Sequence, residues 1–133
     1  MLKRKLILII AVSGLFLLLP GLSFASSLDL IAPGPDEADV PVDGYFQWYA
    51  VPAAEKYVLD IVQFTQSEDN IPPSVCSEDV CSFAFLDLSV GNINYSSVYT
   101  WRVTAYDAEG QPIDSSSESG YTFTTGQPPA PPP

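Results

Sequence analysis

The sequence predicts an all-β fold, an antiparallel β-sandwich of about seven strands. Apolar and polar residues alternate along several segments, and this spacing is typical of half-buried strands rather than of amphipathic helices. Prolines, 13 in number, and glycines interrupt the alternation at short intervals, as expected of turns between short strands. The 108 residues that follow residue 25 have the size of one domain with one core.

The first 25 residues predict a secretory signal peptide. The basic stretch 3–5 precedes an apolar run from Leu6 to Leu19, and small residues precede an expected cleavage after Ala25. The alternative is an uncleaved anchor, because residues 6–25 are just long enough to cross a bilayer. In both cases the body of the protein lies outside the cytoplasm. We therefore expect it to be secreted, periplasmic or held at the cell surface.

The charge of the body excludes several classes of partner. It contains all 16 carboxylates but only two cations, Lys56 and Arg102, so its net charge is −14. Such a surface repels nucleic-acid phosphates and anionic lipid headgroups. We therefore expect no nucleic-acid partner, and membrane contact only if the N-terminal segment stays uncleaved.

The two cysteines, Cys76 and Cys81, predict a disulfide, because exported proteins fold in oxidising compartments. The alternative is a pair of free thiols. A metal site is disfavoured, because no further cysteine or histidine completes a tetrahedral set of ligands. Closing a loop this short stabilises a fold by at most about 2 kcal/mol, so the bridge can hold a loop but not the domain.

The first half of the body predicts strands separated by acidic connections. The apolar segment Leu28–Ala32 stops at prolines, and the acidic stretch Asp36–Asp43 is predicted to be a loop. In the strand Gly44–Ala50, Phe46 and Trp48 share the buried face, since alternate side chains of a strand point to one side.

The next strand is centred on residues 57–62, where the charged Asp60 marks the face that meets water. The polar stretch Thr65–Asp79 is predicted to be a long loop that ends at the cysteine pair. An alternating strand follows from Phe83 to about Leu88, and residues 90–97 form another connection.

The clearest strand is Val98–Asp107, and a turn at Gly110 follows it. Its inward residues are Tyr99, Trp101, Val103 and Ala105. The serine-rich segment 113–120 then leads to a last strand, Tyr121–Thr125. The proline-rich tail, residues 127–133, is predicted to be an extended polyproline II segment that acts as a spacer or as a ligand for an aromatic groove. The alternative for this tail is an unstructured chain end.

Three stretches carry a resemblance to a known family: Phe46–Leu59, Tyr99–Gly110 and Phe123–Thr125. They resemble a fibronectin type III or closely related immunoglobulin-like domain of exported bacterial proteins, here spanning residues 26–126. The resemblance implies a core position for the aromatic and apolar residues of the middle strands, which are Trp48, Tyr57, Tyr99, Trp101, Val103 and Ala105. The pattern departs from the family before Tyr99, where Ile93 takes the role of a leucine.

Catalytic chemistry is not expected. Carboxylates are numerous, but no pattern places two of them in an apolar cleft, and the serines have no histidine to activate them. We expect no cofactor. Calcium binding is a more serious alternative than catalysis, with Asp36, Asp39 and Asp43 as candidate ligands in one acidic loop, but a solvated acidic surface explains the same residues and is favoured.

Three tyrosines are candidates for ligand binding. Tyr49 and Tyr106 are predicted to point outward from their strands, and Tyr95 to lie in a connection. Exposed tyrosines can stack on sugars or anchor a protein, but antiparallel strands favour outward tyrosines in any case. The function expected from the sequence is a non-enzymatic interaction or spacer module that binds a protein partner. The alternative is a module that binds a cell-surface glycan, with possible support from calcium.

Overall fold

The structure of the protein is a computed structural model that describes residues 28–131. The predicted signal peptide, residues 1–25, and the last two prolines lie outside this range. Residues 28–131 form ten strands, more than the seven or so predicted, and two short 3₁₀ turns, at Pro73–Val75 and Phe85–Asp87. The strands are β1 (Leu30–Ala32), β2 (Glu37–Val40), β3 (Tyr45–Tyr49), β4 (Lys56–Ile61), β5 (Glu68–Ile71), β6 (Cys76–Ser77), β7 (Val80–Ala84), β8 (Val98–Tyr106), β9 (Pro112–Ser115) and β10 (Tyr121–Thr125).

The strands form two sheets. The first sheet has the order β1-β3-β7-β6, and the second has the order β2-β10-β8-β4-β5, with β9 added beside β8. One pairing departs from the antiparallel prediction, because β2 runs parallel to β10. The reason is the proline-rich corner between β1 and β2, where Pro33 and Pro35 have no N–H for a sheet ladder and the chain passes from the first sheet to the second.

Aromatic residues from both sheets meet in one core. The ring of Phe46 in β3 lies 4.9 Å from that of Trp101 in β8 and 6.1 Å from that of Phe123 in β10. Trp48 in β3 lies 5.4 Å from Tyr57 in β4. All five side chains are at most 1% exposed. The fold is therefore all-β with two sheets in contact, consistent with the predicted sandwich.

The alternation read from the sequence holds in the central strands. In β4, Tyr57, Leu59 and Ile61 are buried, and the residues between them are half-buried. In β8 the inward residues are those expected, Tyr99, Trp101, Val103 and Ala105. These two strands pair along their length, so the strongest sequence pattern lies at the centre of the second sheet.

The predicted long loop at Thr65–Asp79 is wrong, since this stretch contains β5, a 3₁₀ turn and β6. In β5 only the first and last residues, Glu68 and Ile71, are buried, so the strand shows no alternation. Glu68 is also an unusual buried residue for a strand, because a carboxylate loses its hydration there.

Three further boundaries differ from the sequence prediction. The acidic stretch Asp36–Asp43 contains β2, in which only Val40 is buried. The serine-rich segment 113–120 begins inside β9, which pairs with the end of β8. The strand predicted to reach Leu88 ends at Ala84, because Phe85 turns into the core at the start of a 3₁₀ turn.

The connection between β7 and β8 is held by Tyr99. Its hydroxyl accepts a hydrogen bond from the Asn94 N–H, 2.9 Å, and donates one to the Asn92 carbonyl, 3.4 Å. Ile93 between them is 9% exposed and joins the core. One side chain of β8 thus fixes the connection that leads into the strand.

Candidate functional site

The three predicted tyrosines lie in separate places. Tyr49 is half exposed at the end of β3 in the first sheet, and Tyr95 is 44% exposed in the connection before β8. Tyr106 is half-buried at the far end of β8. The rise of an extended strand separates the two ends of β8 by about 26 Å, so Tyr95 and Tyr106 do not share a site.

Tyr106 is already engaged within the molecule. The Lys56 ammonium lies 5.3 Å from the centre of its ring, a cation–π contact. Beside this pair is an open cleft of about 410 Å³, lined by Glu55, Lys56, Asn70, Pro72, Asp107, Ala108 and Gly110. The Asp107 carboxylate accepts hydrogen bonds from the Glu109 and Gln111 N–H groups, at 3.0 and 2.9 Å, so it serves the turn after β8.

A second exposed tyrosine, which the sequence reasoning did not single out, lies on the same strand face as Tyr49. Tyr45 and Tyr49 are 56% and 50% exposed, and Gln47 lies between them. Their register partners on β7 point to the same side of the sheet. We call this surface the tyrosine face; its residues are Tyr45, Gln47, Tyr49, Val80, Ser82 and Ala84. The sequence does contain a signal for this face: Tyr45, Gln47 and Tyr49 are two residues apart and therefore point to the same side of a strand.

The centre of the tyrosine face is a hydrogen-bonded pair. The Gln47 side-chain nitrogen donates to the Ser82 hydroxyl oxygen at 3.0 Å, and both side chains are half-buried. The bond leaves the Gln47 carbonyl oxygen as an acceptor and the Ser82 hydroxyl hydrogen as a donor, with no other partner among residues 28–131. The second N–H of the Gln47 amide is a further donor, so the face offers both donors and an acceptor between two aromatic rings.

The tyrosine face carries no charge. The described strands of the first sheet, β1, β3, β6 and β7, contain no aspartate, glutamate, lysine or arginine. Carboxylates lie just beyond the strand ends, at Asp29, Asp43, Glu78 and Asp79. An uncharged surface with an acidic rim therefore lies on a body of net charge −14.

The strands of the second sheet, by contrast, contain charged side chains. Arg102 forms an ion pair with Asp60, its register partner on β4, and its second guanidinium nitrogen donates to the Glu118 carbonyl at 3.1 Å. Lys56 lies against Tyr106 on the same pair of strands. Both cations of the body are thus engaged on the second sheet.

The structure does not gather the calcium candidates Asp36, Asp39 and Asp43 into a ligand set. Residues 28–131 contain no group of three or more acidic, cysteine or histidine side chains that could hold a metal ion. Asp36 precedes β2 and Asp39 lies within it, each with a positive φ of 58°. The nearby Glu37 carboxylate accepts a hydrogen bond from the Gly34 N–H at 2.7 Å and so closes the corner before β2.

Cys76 and Cys81 face each other across the hairpin formed by β6 and β7, and their sulfurs form a disulfide. No free cysteine occurs in the described part of the chain. The tip of the hairpin contains Glu78 with a positive φ of 59°. A cysteine pair at bonding distance is typical of proteins in oxidising compartments, as the sequence predicted.

Glu68 is the one buried carboxylate among the described residues, and the sequence did not point to it. It is 9% exposed and accepts hydrogen bonds from the N–H and the hydroxyl of Ser89, both at 2.7 Å. The pair ties β5 to the connection after β7. Both carboxylate oxygens of Glu68 thus accept hydrogen bonds that hold this connection in place.

The described residues include no helix that is long and apolar enough to cross a membrane. The start of the tail, residues 127–131, is exposed and belongs to no strand.

The tyrosine face is the most distinctive surface of the described domain, because it combines exposed aromatic rings with an absence of charge. No protein-family model, curated protein or solved structure matches this chain significantly.

Proposed function

We propose that this protein is an exported, non-enzymatic binding module with a fibronectin type III-like fold that binds its partner through the tyrosine face. The observation that carries the proposal is the pairing of two exposed tyrosines with a surface that lacks charge, on a body that is otherwise strongly acidic. Tyrosine brings a large apolar ring and a hydroxyl, and both are used at binding surfaces.

The likeness to the fibronectin type III fold is supported by topology and by two core features. The first sheet joins β1, β3 and β7, and the second joins β10, β8, β4 and β5, which is the split between sheets found in sandwiches of this kind. Trp48 packs on Tyr57 across the core. The hydroxyl of Tyr99 bonds to the backbone upstream of its strand, as in the tyrosine corner of such domains.

Export is supported by two independent features of the chain. The N-terminal 25 residues have the order of a secretory signal peptide, with a basic start, an apolar run and small residues before the expected cut. Cys76 and Cys81 form a disulfide, which persists outside the reducing cytoplasm. Together they favour a secreted, periplasmic or surface-held protein.

The absence of enzymatic activity is also part of the proposal. The chain has no histidine, and the buried carboxylate Glu68 is bound on both oxygens by Ser89. Asp107, which lines the open cleft, accepts hydrogen bonds from two backbone N–H groups of the turn after β8. These groups act as structural partners, which favours a binding role over a catalytic one.

Binding through a face is favoured over the addition of a strand at a sheet edge. The edge strands are short or interrupted, and prolines flank several of them. β6 has two residues, β1 has three and is followed by Pro33, and β5 contains Asn70 at a φ of 62° and is followed by Pro72. Main-chain pairing with a partner would therefore be brief, so the side chains of an open face are the better recognition surface.

The proposal is tested by binding of the purified, labelled domain to cell envelopes of the organism that makes it. Replacing both rings, Tyr45→Ala with Tyr49→Ala, is expected to lower the affinity about tenfold or more, because two aromatic anchors are lost. Tyr95→Ala is the matched control, since Tyr95 is similarly exposed but lies in the connection before β8 and not on the strands that form the face. Equal binding by the double variant and by the wild type contradicts the proposal.

A further inference from the structure

We infer that the tyrosine face binds a neutral glycan of the cell envelope in an extended form. The inference rests on the proposed function, which places binding on this face, and adds the chemical class of the partner. Four features of the face support it: the spacing of its rings, the hydrogen-bonding groups between them, its lack of charge and its size.

The two rings are spaced along a single strand. Tyr45 and Tyr49 are four residues apart on β3, and the rise of a strand places their Cα atoms about 13 Å apart. This distance is too great for both rings to stack on one sugar, but it suits two sugars of the same chain with other units between them. Since a strand is straight over this length, an extended oligosaccharide can contact both rings.

The groups between the rings match those of a sugar. Each sugar hydroxyl both donates and accepts hydrogen bonds, and the Gln47–Ser82 pair offers an acceptor, the Gln47 carbonyl oxygen, next to two donors, the second Gln47 N–H and the Ser82 O–H. The bond between Gln47 and Ser82 also fixes the orientation of both groups before binding. A preorganised donor and acceptor lower the entropic cost of binding a flexible ligand.

The charge of the surroundings selects an uncharged ligand. The face has no cation to pair with an anionic sugar, and the carboxylates Asp29, Asp43, Glu78 and Asp79 surround it. An acidic polysaccharide is repelled by this rim and by the net charge of the body. A neutral glycan experiences neither repulsion nor strong attraction, so its binding depends on stacking and hydrogen bonds.

The size of the face favours a glycan over a folded protein. The six residues of the face lie on two neighbouring strands, so strand length and strand spacing give a backbone footprint of about 16 by 5 Å, on the order of 80 Å². A stable protein interface buries about 800 Å² on each partner. A second copy of this chain is further disfavoured, because two bodies of charge −14 repel each other.

The first test uses soluble ligands of defined chemistry. NMR titrations are made with neutral hexasaccharides of glucose, xylose, mannose and N-acetylglucosamine in β-1,4 linkage, and with an oligogalacturonate as the anionic counterpart. We expect at least one neutral ligand to shift the signals of Tyr45, Gln47 and Tyr49, with little effect of added salt. The oligogalacturonate is expected to cause no shift.

Variants then connect the shifts to the face. Tyr45→Ala and Tyr49→Ala are each expected to weaken glycan binding about tenfold, since each removes one stacking surface. Tyr95→Ala is expected to bind as the wild type does. All three side chains are exposed, so each variant should keep the melting midpoint of the wild type, and this midpoint is measured on the same samples.

The source of the ligand is tested on the envelopes themselves. Periodate, which cleaves the vicinal diols of β-1,4-linked glucose, xylose and mannose, is expected to abolish binding to glycans of these sugars, and chitinase to abolish it if the ligand is the N-acetylglucosamine polymer, which has no vicinal diol within the chain. Protease treatment is expected to leave binding intact. Binding that survives periodate but not protease overturns the glycan inference and leaves the proposed binding module standing, with a protein as its partner. The inference also fails if none of the neutral hexasaccharides shifts the signals of the face.

Discussion

Ser116 shows how one side chain completes the second sheet. β9 and β10 both pair with β8, and the chain between them leaves the ladder at Ser116. There the Ser116 N–H donates to the Val103 carbonyl at 2.9 Å, and the Val103 N–H donates to the Ser116 hydroxyl at 3.1 Å. The hydroxyl thus replaces a backbone carbonyl, which satisfies a buried N–H at the break between two strands.

The replacement Ser116→Ala is expected to lower the free energy of unfolding by about 1–3 kcal/mol. The cause is the Val103 N–H, which loses its acceptor at a position where Val103 is 1% and Ser116 6% exposed. Urea denaturation measures the change. The control is Ser117→Ala at the next, exposed position, for which we expect a change near zero. Similar losses in the two variants would show that the hydroxyl of Ser116 is not needed.

Two glycines with the same backbone conformation allow a second test at this scale. Gly110 and Gly120 have φ values of 79° and 64°, a region that costs other residues about 1–2 kcal/mol. A Cβ on Gly110 would have no neighbour within 4 Å, whereas one on Gly120 would overlap the Trp101 carbonyl.

Gly110→Ala is therefore expected to cost about 1–2 kcal/mol, and Gly120→Ala about 2–5 kcal/mol, because overpacking adds to the backbone strain. Thermal or urea unfolding of the two variants beside the wild type measures both values. Equal losses of unfolding free energy in the two variants would mean that a Cβ at position 120 fits beside β8 without overlap.

At the scale of elements, the hairpin of β6 and β7 contains the disulfide. Cys76 and Cys81 are register partners, and β7 also pairs with β3 through the Trp48–Cys81 position. The hairpin is therefore already held by its ladder and by the core, since Cys81 is fully buried. The disulfide closes a loop with only four residues between the cysteines, so it restricts little of the unfolded chain.

Reduction of this disulfide is expected to lower the free energy of unfolding by about 2 kcal/mol or less. The measurement is urea unfolding of the same protein with and without dithiothreitol, which leaves the buried side chains in place. A double replacement of both cysteines by serine is expected to cost more, because it also puts a polar group at the buried position of Cys81. Complete unfolding on reduction alone would show that the disulfide holds the whole domain.

The elements also show where sequence patterns carry information. β3, β4 and β8 could be predicted because they are central strands with one buried face, which imposes alternation. β2, β5 and β9 could not, because each has a single buried or half-buried apolar residue among polar ones. For β2 the pairing also depends on a strand distant in the chain, β10, and not on local composition.

The candidate site could be predicted only in part from the sequence, for a related reason. Tyr49 was expected to point outward, and the same alternation in the predicted strand Gly44–Ala50 places Tyr45 beside it, but the pattern of one strand does not show which neighbouring strand completes the surface. The Gln47–Ser82 pair joins residues 35 positions apart, which requires the register of β3 and β7. The surface therefore became recognisable only when two strands were seen side by side.

At the scale of the whole molecule, charge is distributed unevenly. The two cations of the body are engaged on the second sheet, with Asp60 and with Tyr106, and the carboxylates lie on that sheet and in the loops. The first sheet has none in its strands. The strongly acidic body, whose charge disfavours nucleic acid and anionic lipid, thus has one face on which a neutral partner can bind without meeting a charge.

The most direct test of this account is hydroxyl-radical footprinting of the domain, free and bound to envelopes. Tyr45, Tyr49 and Tyr95 are similarly exposed in the free domain and should be oxidised at comparable rates. On binding, the account predicts that oxidation of Tyr45 and Tyr49 falls severalfold while that of Tyr95 is unchanged. Protection of Tyr95 or Tyr106, with Tyr45 and Tyr49 still oxidised as in the free domain, would contradict it.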